Sequence, residues 1–257
     1  MKKTIYILNA LLFAVMITLD ILLILDPSVL LKSLASACFV AAGIVNFAYA
    51  LKLRAKPTFP ALMLAGCVLA MAGDIVIYYP NDLCFMIGAG LFGAAHVLYV
   101  AAYFTLYSFH FTDAIAIFCI FLPSVLVITL APIFEFGGVL MEIVCVVYAV
   151  ILSLMVGKAL ANLRKKTALS VLIAIGSILF FTSDFMLLLN VFGKIGSVPR
   201  ILCLATYYPA QFLLALSLIV FSERGMNLFK RLYCSTFQGA LKLLLPFLPY
   251  KAPKLLQ

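Results

Sequence analysis

The sequence predicts an all-α fold, a polytopic transmembrane bundle of about eight helices with both termini cytoplasmic, and three observations predict it. Hydrophobic residues make up 67% of the 257 positions and charged residues only 11%, against roughly 25% charged in a soluble domain. The apolar residues fall in consecutive runs of about 20, the length that crosses a ~30 Å hydrocarbon core. The connections between runs are short. Backbone polar groups in lipid are satisfied only within a helix or a closed barrel, so runs of this length read as helices.

The first span, 5–25, follows Met1, Lys2 and Lys3. It carries Asp20 and no small-residue cleavage site follows, so it reads as a retained helix and not a signal peptide. Asp26-Pro27 ends it, and the second span, 29–51, starts close to Lys32. Lys56-Pro57 opens the third, 59–79, and Pro80-Asn81-Asp82 separates it from the fourth, 83–107. The fifth, 113–132, and the sixth, 135–161, meet at Pro132 to Phe136, the thinnest join. One long helix there would reverse the orientation of everything after it. The seventh, 167–192, and eighth, 198–222, are divided by Gly196-Ser197-Val198-Pro199. Residues 1–222 thus form the bundle and 223–257 a basic cytoplasmic tail. In that tail Phe229, Leu232, Tyr233, Phe237, Leu241 and Leu244 recur at helical spacing among Lys230, Arg231 and Lys242, the pattern of an interfacial amphipathic helix.

The net charge of +9 follows the membrane and does not call for nucleic acid. With eight spans and the N-terminus inside, all but Lys32, Lys194 and Arg200 of the 18 Lys and Arg residues fall on the cytoplasmic side. That distribution favours a break between the fifth and sixth spans. The seven cysteines form no CxxC pair and lie mostly in apolar runs, where free Cys behaves as a small hydrophobe. Spans three and four faintly echo seven and eight: Gly73-Asp74 with His96 and Tyr99, against Ser183-Asp184 with Tyr207 and Gln211. The two pairs run in the same direction, as a parallel repeat requires.

An acid at the bilayer centre costs about 2.5–3.5 kcal/mol and marks function by default. Asp74 comes 15 residues after Phe59 and Asp184 comes 17 after Thr167, which lifts them ~22 and ~25 Å along helices of the same direction. Descending helices bring His96, Tyr99, Glu142, Tyr148, Tyr207 and Gln211 towards that level, and Lys32 enters just below the surface. Each supporting residue has a plainer alternative. Asp20 reaches headgroups from its helix end, Lys32 snorkels, His96 bonds a core neighbour, and Glu142 and Tyr148 tie helices together. Asp82 and Asp113 lie at loops and require no function.

The chemistry narrows by elimination. There is no GxSxG elbow, and His96 and His110 are the sole histidines, so a serine triad has one buried base to draw on. No HExxH spacing or Gly-rich phosphate loop is present, and neither a metal nor another cofactor is expected. Burial and the nearness of a second carboxylate push one of the two towards the protonated form, so one can act as general acid while the other stays ionised, which suits a reaction through an oxocarbenium-like cation.

The stretches Gly73-Asp74, Ile87-Gly88-Ala89-Gly90-Leu91-Phe92, His96-Val97-Leu98-Tyr99, Ser183-Asp184-Phe185 and Ala205-Thr206-Tyr207-Tyr208-Pro209-Ala210-Gln211 resemble the YhhN family of multi-pass membrane proteins. The resemblance runs from about Lys32 to Ser222, with one departure: the family's second helix begins Lys-Pro, whereas here Lys32 precedes Ser33. It implies about eight helices. Characterised animal members are lysoplasmalogenases, which implies an enzyme cleaving the vinyl ether of a 1-alkenyl lysophospholipid to a fatty aldehyde and a glycerophospho-base. Asp74 and Asp184 would be catalytic, with Lys32, His96, Tyr99, Glu142, Tyr148, Tyr207 and Gln211 in support. The partners expected are that lysophospholipid and the lipids of a cell membrane; the sequence leaves the oligomeric state open. The alternatives are a transporter or proton-coupled carrier using the same acids, and a non-catalytic lipid-binding protein.

Overall fold

The structure, a computed structural model, describes residues 2–53, 55–193 and 195–223. It is all-helical: α1 Lys2–Leu25, α2 Val29–Lys52, α3 Thr58–Val76, α4 Asp82–Leu106, α5 Phe111–Leu130, α6 Val139–Ala161, α7 Ala168–Phe192 and α8 Val198–Ser222, with a 3-10 turn at Asn162–Lys165. All eight are long and apolar enough to cross a membrane. The proposed amphipathic helix of the tail lies outside the described residues.

Local chemistry sets the helix starts. Ser28 Oγ accepts from the Leu30 amide and Asn81 Oδ1 from the Cys84 amide, so α2 and α4 begin on capping side chains. Thr167 and Ser170 form a reciprocal box at α7. Pro199 sits in the first turn of α8, where a missing N–H costs nothing. The fifth and sixth spans are separate helices. Gly137 takes a left-handed φ of +71°, and the Glu135 amide bonds the Phe192 carbonyl of α7 at 2.9 Å. These fix residues 131–138 as a loop, so α6 starts at Val139, four residues later than the sequence reading.

The two described ends of the chain meet. Lys2 pairs with Glu223 at 2.5 Å, and Tyr6 and Tyr49 donate to the same carboxylate. We call this the terminal end and the opposite one the far end. Three helix pairings recur four helices on, although α1 and α3 also pack on α8 with no comparable packing of α5 and α7 on α4. α3 packs most closely on α4 as α7 does on α8, α1 on α2 as α5 on α6, and α2 on α8 as α6 on α4. These three pairings extend the parallel repeat to all four helices of each half, more than the echo in the sequence, with α8 the more central of the two fourth helices. α5 is the most peripheral helix and packs chiefly on α6. A Cβ on Gly157 would come within 2.5 Å of the Ile117 backbone, so α6 needs glycine there to meet α5.

Asp113 departs from the loop position expected of it. Its carboxylate is fully buried, closing the first turn of α5 through a bond from the His110 amide. Lys158 Nζ pairs with it at 2.6 Å and Arg164 Nη1 at 2.9 Å. Lys158 is itself fully buried beneath the Phe104 ring and donates to the Ser108 carbonyl. The reciprocal cap draws Asp113 into the helix and towards α6, where the two cations satisfy it.

Candidate active site

Asp74 and Asp184 sit on α3 and α7, the equivalent helices of the two halves, and both are buried. Asp74 is held by three donors. Lys32 Nζ approaches Oδ1 at 2.7 Å, while Ser36 Oγ and the Tyr208 hydroxyl donate to Oδ2 at 2.6 and 3.0 Å. Lys32 and Ser36 are one helical turn apart on α2, so both face α3. Lys32 therefore turns inward onto an acid and does not snorkel.

Asp184 is held differently. The Tyr148 hydroxyl donates to Oδ2 at 2.7 Å and His96 Nε2 meets the same oxygen at 3.0 Å. His96 Nε2 also lies 2.8 Å from the Tyr148 hydroxyl, and its Nδ1 lies 3.1 Å from Met155 Sδ. No hydrogen bond reaches Oδ1 of Asp184 among the described residues.

The helices that supply these partners obey the repeat. Asp74 is held from α2, the helix before its own, and from α8, which follows the other acid. Asp184 is held from α6, the helix before its own, and from α4, which follows Asp74. Each carboxylate thus joins the two halves of the protein.

Tyr207 and Cys203 lie within electrostatic reach of both acids. The Tyr207 ring packs edge-on against Phe39, Phe92 and Phe180, and its hydroxyl donates to the Ala70 carbonyl at 3.1 Å. Tyr99 donates to Gln211 Oε1 at 2.8 Å, a contact separate from either acid, and Gln211 Nε2 is buried with no partner among the described residues. Glu142 stays apart: it lies in the first turn of α6 and makes no side-chain hydrogen bond with the cluster among the described residues. Asp20, expected to reach headgroups, is buried instead, with no partner for Oδ1 among the described residues, and it lies within reach of the charges of Asp74 and Lys32. Ser36 and Tyr208 are partners that the sequence reading does not assign to the site. Ser36 lies one helical turn beyond Lys32, and that spacing was the signal available for it.

The YhhN family model matches residues 28–218, from the start of α2 almost to the end of α8. The chain belongs to the YhhN family. A search of curated proteins and one of solved structures each return no match. Both carboxylates and all their partners lie inside the residues matched by the YhhN model, whereas α1 with Asp20 lies outside them. The departure at Ser33 leaves the Lys32–Asp74 pair intact, since Ser33 turns its hydroxyl back to the Val29 carbonyl.

Two cavities meet at the site of this YhhN protein. An apolar one of about 70 Å³ runs between α4, α5, α6 and α7, lined by Phe92, Ile128, Tyr148, Leu152, Asp184 and Leu188 among others. A more polar chamber of about 500 Å³ opens at the far end and reaches Lys32, Cys203 and Arg200. Ile77, Phe85 and Leu187 belong to the walls of both. The acid with an unbonded oxygen lines the apolar cavity, and the lysine of the other acid lines the polar chamber.

Proposed function

We propose that the protein is an intramembrane hydrolase that cleaves the vinyl ether of 1-alkenyl lysophospholipids, a lysoplasmalogenase of the cell membrane with its terminal end in the cytoplasm. The observation that carries this reading is the pair of buried carboxylates in unlike surroundings where an apolar cavity adjoins a polar chamber. A single-chain lipid is divided in the same way. Its chain suits the apolar cavity, its head the chamber, and the ether bond between them falls near the acids.

In the proposed reaction Asp184, with Oδ2 held by Tyr148 and His96, gives a proton through Oδ1 to the vinyl carbon remote from the ether oxygen. The other vinyl carbon becomes an oxocarbenium ion. The carboxylate of Asp74, fixed by Lys32, Ser36 and Tyr208, offsets that charge without rearranging. Water adds to the cation and returns a proton to Asp184. The hemiacetal collapses, its hydroxyl proton passing to the leaving glyceryl oxygen, and releases the aldehyde and the glycerophospho-base. The carrier alternative draws support from the parallel repeat, but α7 runs unbroken past Asp184 and α3 is continuous up to Asp74 in its last turn, whereas carriers typically bind at helices interrupted in mid-membrane.

The test is aldehyde release by purified protein offered alkenyl, acyl and alkyl lysophospholipids of matched chain. Release from the alkenyl lipid alone, lost in folded Asp74→Asn and Asp184→Asn, supports the reading. Undiminished turnover in both variants overturns the carboxylate mechanism. Transport of unaltered lipid in proteoliposomes, with no aldehyde, would establish the carrier.

A further inference from the structure

One buried acid beside the site has no part in the reaction as written. Asp20 is only 3% exposed, although it belongs to α1, outside the residues matched by the family model. Two polar ties set how α1 lies on the bundle. Asn9 exchanges hydrogen bonds with Asn46 of α2 at 2.9 and 3.1 Å, and the Ile24 carbonyl accepts from Arg200 of α8 at 2.6 Å. Asn9, Met16, Asp20 and Leu23 are the buried residues of α1 and share one face of it. The ties on either side of Asp20 therefore turn it into the bundle. There the charges that act on it are those of Asp74 and Lys32, and it lies within electrostatic reach of Tyr208 as well. Its Oδ1 has no hydrogen-bond partner among the described residues, and no cation among them stands within ion-pair distance of it. A buried carboxyl without a donor is costly, and its neighbours on that face, Met16 and Leu23, do not call for one.

Lys32 and Asp74, 2.7 Å apart, form a pair of no net charge. Such a pair stabilises a cation weakly, because the ammonium offsets most of what the carboxylate offers. A second carboxyl facing the same ammonium from another helix changes the count to two acids and one base. We infer that Asp20 is a positioning residue of the site, a counter-charge to Lys32 that leaves the negative charge of Asp74 available to a lipid cation. The inference rests on the oxocarbenium reading above and adds α1 to the helices that serve it. Asp20 acts through Lys32 and Asp74 and does not touch the lipid: Leu23, one turn further on, lines the far-end chamber, and Asp20 stands behind it. Its charge is in place before the cation forms, so it stabilises the cation without a movement at the moment of reaction.

Binding of a fixed cation separates this inference from the hydrolysis itself. The full chain, in a sugar-headed detergent and mildly alkaline buffer, is titrated with two single-chain probes that cannot be cleaved. A hexadecyl dihydroxypropyl dimethylammonium puts a permanent positive charge at the place of the ether oxygen, and hexadecyl glyceryl ether is its uncharged counterpart. The wild type prefers the ammonium lipid. Asp20→Asn lowers that preference about ten-fold, the order expected of one charge acting at short range in a partly screened interior, and leaves the affinity for the glyceryl ether unchanged. Turnover of alkenyl lipid falls to a similar degree in kcat, with KM held, and Asp20→Glu recovers part of both losses. The thermal midpoint does not fall, because Asn keeps the shape of Asp and an acid without a donor has been removed. Asp20→Leu, uncharged and of similar size, gives the same loss of preference and decides the matter if Asp20→Asn does not fold. Preference retained in the folded variant overturns the inference. Equal loss of affinity for both probes, with a lowered midpoint, overturns it in favour of a structural role alone. The expected loss of preference with no aldehyde release by the wild type would keep Asp20 in cation binding and reject the hydrolase. Aldehyde release with preference and kcat indifferent to Asp20 would do the reverse.

Discussion

The two halves of the protein present the same residue type at equivalent places and dress it differently. Asp74 receives an ammonium and two hydroxyls and faces the polar chamber through Lys32. Asp184 receives an imidazole and a phenol on one oxygen and presents the other to an apolar cavity. In the proposed reaction, a repeat that kept both acids but changed their partners gives one acid to charge compensation and the other to proton exchange with the lipid. That division is what paired-carboxylate catalysis requires. It also predicts that equal substitutions in the two halves have unequal results.

The largest effect comes from the acids themselves. Asp184→Asn removes the proposed proton donor and is expected to lower kcat by about 10³-fold or more, within the range of general acid catalysis and charge stabilisation combined. Asp74→Asn abolishes turnover to a similar degree but leaves Lys32 buried and unmatched, so it alone also lowers the thermal midpoint in detergent. Equal midpoints for the two variants would erase the distinction drawn between the acids.

How much of this was legible in the sequence depended on the kind of signal. Helix number and limits follow from apolar run length and from breakers such as Asp26-Pro27 and Pro80-Asn81, which act locally. Asp74, Asp184, Lys32, His96 and Tyr148 stood out because charge and polarity are costly in lipid. Glu142 was placed too deep because the sixth span was started at 135; the loop at Gly137 moves the helix start to Val139 and Glu142 into its first turn. Rotation was the harder quantity. A helix apolar on every side has no amphipathic stripe to say which face is inward, so Tyr208 was indistinguishable from its neighbour Tyr207, and Asp20 and Asp113 read as surface residues. Their burial depends on which helices pack beside them, which spacing along one helix does not reveal.

Next in size is the loss of a cation from a buried pair. Lys32→Met leaves Asp74 with hydroxyl donors alone, and stripping one partner from a buried pair costs about 3–5 kcal/mol. Adding Asp74→Asn to Lys32→Met restores most of that stability without restoring activity. Lys158→Met sharpens the point from outside the site. It strips one of the two cations from Asp113 at the terminal end, lowers the midpoint by a comparable amount, and leaves kcat of the folded fraction near wild type. Chemical denaturation beside single-turnover aldehyde release distinguishes the two, and a lost kcat in Lys158→Met would mean that the pair at the terminal end is coupled to the carboxylates.

The smallest effect tests the comparison most directly. Tyr148→Phe and Tyr208→Phe each delete one hydroxyl from a carboxylate and keep the ring, so packing is nearly unchanged. A hydrogen bond contributes about 0.5–1.5 kcal/mol, and one to a charged group about 1.5–3 kcal/mol. On Asp74 the Tyr208 hydroxyl is one of three donors, and Lys32 and Ser36 still fix the carboxylate after its loss. On Asp184 the Tyr148 hydroxyl is one of two partners and also contacts His96, so its removal frees both the acid and the ring that holds it. Tyr148→Phe therefore lowers kcat about ten-fold with little change in KM, while Tyr208→Phe lowers it no more than about three-fold. The reverse order would assign the proton transfer to Asp74 and exchange the roles of the two halves.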